Sequence, residues 1–68
     1  MKKPIYYVAC HIWNNKTEDY DFKVYCQGTD IDNIRKTFNT LELSPNMPLV
    51  ELYLQGEDED ERLAYKEY

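Results

Sequence analysis

Sixty-eight residues carrying 13 acids against 8 bases, a formal net charge of −5, bound one small acidic domain, residues 1–68. A core that small leaves little interior for a substrate pocket, which typically encloses about 300–1,000 Å³. The negative field opposes phosphate backbones and anionic membranes, so direct nucleic-acid and membrane binding are disfavoured and a basic protein partner is favoured.

The start, Met1-Lys2-Lys3-Pro4, is basic, but Ile5 to Ala9 is too short for a leader's apolar region and no cleavage site follows. No apolar run reaches the roughly 18–20 residues that cross a bilayer. The expectation is a cytoplasmic protein.

Pro4 to Trp13 reads as a strand, rich in β-branched and aromatic residues. Asn14 to Asp19 has turn composition. Tyr20 to Gln27 alternates, with Tyr20, Phe22, Val24 and Cys26 expected inward and Asp21, Lys23, Tyr25 and Gln27 outward. The two strands should form an antiparallel hairpin with Ile12 opposite Tyr20, so that inward residues meet inward residues. That register sets Cys10 opposite Phe22, Cys26 opposite Tyr6, His11 opposite Asp21 and Tyr7 opposite Tyr25. The two cysteines then lie about 13 Å apart along the ribbon, too far for a disulfide, and are read as reduced.

Gly28 ends the second strand. Thr29 is the expected N-cap of a helix with Asp30 and Asp32 in its first turn, and Ile31, Ile34, Phe38 and Leu41 make one apolar stripe. Ser44-Pro45-Asn46-Met47-Pro48 stops it. Leu49 to Gln55 is a third strand with Val50, Leu52 and Leu54 inward and Glu51, Tyr53 and Gln55 outward. After Gly56 come five consecutive acids, Glu57 to Glu61. Arg62 to Tyr68 reads as either strand or helix, and strand is favoured because its apolar residues make a poor helical stripe. As a strand it turns Leu63 and Tyr65 inward and Arg62, Ala64, Lys66 and Tyr68 outward.

The resulting class is α+β: hairpin, helix, hairpin (ββαββ), a four-stranded mainly antiparallel sheet with one helix on one face. This order of elements resembles the β-grasp layout of ubiquitin-like and immunoglobulin-binding modules, in layout alone and without a family motif.

Two surfaces stand out. The run Glu57, Asp58, Glu59, Asp60 and Glu61 is an anionic patch for a basic partner, or more plainly a solvated hairpin loop. The sheet face away from the helix is expected to carry Ile5, Tyr7, His11, Trp13, Tyr25, Leu49, Tyr53 and Tyr68, with Lys23, Lys66, Arg62, Asp21 and Glu51 among them. Tyr and Trp concentrate at interfaces, although cross-strand aromatic pairs also stabilise small sheets. Tyr7, Trp13, Tyr25 and Tyr53 are the candidate contact residues of that face.

No catalytic set is legible. His11 is the only histidine and lacks a nucleophile beside it, since Cys10 points to the opposite face of its strand. The two cysteines match no zinc spacing, and no cofactor or metal motif is present. The reading is a non-enzymatic protein-binding module, an inhibitor or regulator of a basic, nucleic-acid-handling protein. The alternative is a structural domain that homodimerises through its aromatic sheet face. The non-catalytic reading depends on Phe22, Val24 and Leu52 being buried and on there being no enclosed polar cleft.

Overall fold

A computed structural model describes residues 3–68; Met1 and Lys2, half of the basic start, lie outside the described residues. The elements are β1 (Tyr6–Asn14), β2 (Asp19–Gly28), α1 (Ile31–Thr40), β3 (Leu49–Leu54) and β4 (Glu61–Glu67). The strands form one sheet in the order β2-β1-β3-β4, and all three ladders are antiparallel. Arg62 to Tyr68 is therefore strand through Glu67. The likeness to β-grasp domains stays at the order of elements, since the two central strands here, β1 and β3, run antiparallel.

Helix α1 forms where its apolar stripe predicts, and it buries Ile34 and Phe38. Its N-cap is Asp30, not Thr29: the Asp30 carboxylate accepts from the Asp32 N–H at 3.0 Å and from Asn33 Nδ2 at 3.1 Å. A carboxylate there carries full charge against the helix dipole, which a threonine hydroxyl does not. At the other end Lys66 Nζ donates to the Leu41 carbonyl and sits 5.3 Å from the centre of the Phe38 ring. This ammonium caps the carbonyl end of the helix from a neighbouring strand.

Between sheet and helix lie Val8, Cys10, Ile34, Phe38, Val50 and Leu52, flanked by Tyr6, Ile12, Cys26, Leu41, Leu43, Met47 and Ala64. Cys10 and Cys26 are free thiols, the first buried and the second half-buried. Cys26 sits opposite Val8 rather than Tyr6, which places it two positions along the ladder from Cys10. Burial, and secondarily the nearby Cys26, push the Cys10 thiol above its ordinary range. A chromogenic disulfide reagent is expected to modify Cys26 first and Cys10 only as fast as the domain opens globally. Stopped-flow traces with equal rates at both positions would contradict this burial.

The outer half of the first hairpin departs from expectation. Trp13, not Ile12, lies opposite Tyr20, and His11 lies opposite Phe22 rather than Asp21. The ladder runs in this register from Asn14 to Ala9, and a bulge at Tyr25 then restores the inward position of Cys26 opposite Val8. Tyr20, Phe22 and Val24 consequently stand on the face away from the helix, 45%, 53% and 50% exposed, while Asp21 and Lys23 share the side of Ile12 and Cys10. Of the four β2 residues expected inward, Cys26 alone is inward, and Tyr20, Phe22 and Val24 point the other way.

The physical reason is cover. A ten-residue helix spans about 15 Å, and it packs over the Cys26–Gly28 end of the ribbon, where Gly28 approaches Ile34. Among the described residues, no helix lies over the tip of the hairpin for Phe22 and Val24 to pack beneath. On the open face Phe22 and its neighbour Tyr20 meet aromatic partners instead. His11 and Phe22 pack edge-on with centres 5.4 Å apart, and Trp13 and Tyr20 do so at 5.1 Å.

A smaller correction applies to β4. Ala64 and Lys66 pair with Leu52 and Val50 on the helix side, Tyr65 pairs with Glu51 on the open face, and Leu63 is left at a second bulge. Tyr68 lies past β4 and is exposed.

Candidate functional site

The open face is organised around Glu51. Its backbone lies in a central strand between Ala9 of β1 and Tyr65 of β4, and the residue is only 5% exposed although it is on the outward side. The carboxylate accepts three hydrogen bonds: from His11 Nε2 at 2.6 Å, Tyr53 Oη at 2.8 Å and Arg62 Nη1 at 3.2 Å. An ionised carboxylate is acceptor-only, so Nε2 of His11 carries the shared hydrogen. Burial by itself would raise the Glu51 pKa; the bonds from His11, Tyr53 and Arg62 outweigh it and hold the group below the usual carboxylate range.

Tyr53 extends the network. Its ring stacks on Tyr7 with centres 5.2 Å apart and planes 17° from parallel. Tyr7 in turn donates its hydroxyl hydrogen to Asp60. Burial, then the bond to Asp60 and its charge, raise the Tyr7 phenol well above its ordinary pKa, and the same bond lowers Asp60. Arg62 lies 4.3 Å from the centre of the Tyr65 ring. The two surfaces that sequence kept apart, acidic run and aromatic face, are thus one surface joined through Tyr7 and Asp60.

The five acids do not behave alike. Glu61 opens β4 opposite Leu54, and Asp60 also accepts from the Gly56 N–H at 3.0 Å. Glu57, Asp58 and Glu59 remain as the exposed crest of the loop. Gly56 is required by close approach: a Cβ there would come 2.0 Å from the Glu59 carbonyl oxygen. Gly56→Ala is expected to destabilise the domain by about 1–3 kcal/mol and to release Asp60 from Tyr7. Thermal unfolding checks the first effect. An ultraviolet titration checks the second, with the Tyr7 phenol ionising at lower pH than in the parent protein.

Of the remaining predicted face residues, Trp13 and Leu49 are half-buried on it, and Trp13 Nε1 donates to Asn15 Oδ1 at 2.7 Å. Tyr25 is 60% exposed as the bulge residue and does not face Tyr7, whose cross-strand neighbours are Gln27 and Tyr53. Lys66, Lys23 and Asp21 belong to the helix side. Tyr20, Phe22, Val24 and Tyr65 were missed, all for reasons of strand phase. Glu51 was read as an outward residue without a role; a lone acid between Val50 and Leu52, two positions from Tyr53, is the signal that marks it.

Chemically, the cluster holds a histidine, a carboxylate, two phenols and a guanidinium, and both Glu51 oxygens are engaged by its own chain, Oε1 by His11 and Oε2 by Tyr53 and Arg62. A depression of about 330 Å³ lies elsewhere, at the Lys3–Ile5 end, lined by Lys3, Pro4, Ile5, Gln55, Gly56 and Glu57. Among the described residues, no three His, Cys, Asp or Glu side chains gather as a metal-ion site, and no helix is long and apolar enough to cross a membrane. No known family model matches the chain, and no curated protein or solved structure is similar to it.

Proposed function

We propose that this domain is a non-enzymatic protein-binding module, acting inside the cell by occupying the surface of a basic partner, and that its contact surface is the open sheet face with the acidic crest at its corner. The observation that carries the reading is the exposed row Tyr20, Phe22 and Val24 beside Trp13, on the same face as Tyr65 and the Tyr7–Asp60 junction. A contiguous apolar patch rimmed by charge is the usual anatomy of a protein interface. Phe22 and Val24 were expected to fill the interior, and their exposure removes the argument that a full core excludes catalysis. Support for a non-catalytic role now comes from the engagement of both Glu51 oxygens by His11, Tyr53 and Arg62, and from the lining of the 330 Å³ depression, which does not include His11. A basic partner fits Glu57, Asp58 and Glu59, which no cation of the described residues neutralises.

The test is capture of partners from the native cell with the intact chain, followed by binding titrations of the captured protein. Reversing Glu57, Asp58 and Glu59 to lysine is expected to weaken binding at least about tenfold and to flatten its salt dependence. Phe22→Lys is expected to abolish it. A partner that binds both variants as well as the parent, or a turnover that disappears with His11→Ala, overturns the reading.

A further inference from the structure

We infer that β2 is a self-pairing edge: two copies join antiparallel through Tyr20–Val24, with Phe22 facing its own counterpart across a two-fold axis, to make one continuous eight-stranded sheet. The surface involved is the backbone edge of β2, whose open-face side chains Tyr20, Phe22 and Val24 also border the face proposed above for the partner.

β2 is the outermost strand on its side of the sheet, and no strand of the described residues covers its far edge. It is ten residues long, and from Asp19 to Val24 its ladder with β1 is unbulged. A long edge with exposed apolar side chains is the kind of template that sheets normally blunt. The other edge is blunted: β4 is short, carries Glu61, Arg62, Lys66 and Glu67, and contains a bulge. Pairing β4 with itself about Ala64 would set Arg62 against Lys66 and Glu61 against Glu67.

The occupant follows from the register. A two-fold axis between residues would place open-face side chains opposite helix-side ones, which the alternation of a sheet forbids. The axis must therefore pass through a residue. At Tyr20 it sets Asp19 against Asp21; at Asp21, two carboxylates face each other; at Lys23, two ammonium groups do. At Val24 the ladder has to run through the Tyr25 bulge. Only an axis at Phe22 is complementary throughout: Asp21 meets Lys23 twice on the helix side, and Tyr20 meets Val24 twice on the open side. Asp21 is already oriented by Asn14 Nδ2 at 3.0 Å, and Lys23 has no ion-pair partner among the described residues. A second copy of this chain supplies the missing charge.

The experiment is sedimentation equilibrium on the full chain and on Asp21→Lys and Lys23→Asp. The parent is expected to form a dimer, and each single variant to dissociate at least about tenfold more readily, because two attractive cross-strand pairs become repulsive. An equimolar mixture of the two variants restores complementarity at both positions and is expected to dimerise within about threefold of the parent. A second readout does not depend on charge. With Cys26 replaced by serine, Phe22→Cys is expected to oxidise to a covalent dimer, and Tyr20→Cys, held opposite Val24, is not. A parent chain monomeric at about 1 mM, single variants as dimeric as the parent, a mixture that stays monomeric, or equal cross-linking at both positions would each overturn the inference.

Discussion

Leu52→Ala is expected to leave the domain largely unfolded at 25 °C, whereas Phe22→Ala should barely change its stability. Leu52 is fully buried in a central strand, between the Val8 and Ala64 positions of the flanking strands. Truncating such a leucine costs about 2–5 kcal/mol, comparable with the whole stability of a chain this short, about 3–5 kcal/mol. Phe22 is 53% exposed and packs edge-on against His11, so its truncation should cost about 1 kcal/mol or less. Chemical denaturation of both variants checks the contrast. Equal losses would mean that Phe22 packs beneath the helix after all.

The second large effect belongs to Glu51. Glu51→Gln is expected to cost roughly 3 kcal/mol, because it removes the charge from three hydrogen bonds in a site with little solvent. It should also change the acid limb of stability. The folded-state pKa of Glu51 lies below the ordinary carboxylate value, so the native state binds this proton less readily than the unfolded chain. The stabilisation is complete above about pH 4.5 and is lost as pH falls through the lower folded-state value. The parent should therefore lose stability steeply below about pH 4.5, and Glu51→Gln should lose less over the same interval. Melting temperatures from pH 2 to 7 measure both slopes. Parallel acid limbs would remove Glu51 from the account.

Much of the architecture was legible because its signals are local. Apolar spacing of Ile31, Ile34 and Phe38 defines α1, two prolines end the stretch after it, and alternation around Val50 and Leu52 defines β3. Together with the strand-like composition of Pro4–Trp13 and the alternation of Tyr20–Gln27, they give ββα followed by a strand, and Arg62–Tyr68, favoured as strand, completes ββαββ. What was not legible depends on long-range geometry. The phase of β2 turns on how far a ten-residue helix reaches across the sheet, and the phase of β4 on a bulge beside Leu63. The candidate site was half visible: Tyr7, Trp13 and Tyr53 sit on the expected face, and Glu51 shares it with Tyr53 by simple alternation. That His11 and Arg62 converge on Glu51 requires the β1–β3–β4 register, which no local pattern encodes.

The bulge at Tyr25 has a bearing on how the chain finds its shape. Upstream of it, the first ribbon has two plausible zippers that differ by a single step: the one observed, and one that tucks Phe22 and Val24 beneath α1. Both align Tyr20, Phe22 and Val24 on one side of the ribbon, so alternation alone does not separate them. What separates them is a set of specific contacts at the tip, where Trp13 meets Tyr20 and Asn14 grips Asp21. Maturation of this fold is a sorting problem as much as a condensation problem, and the arbiter is a handful of side chains in water rather than the oil beneath the helix.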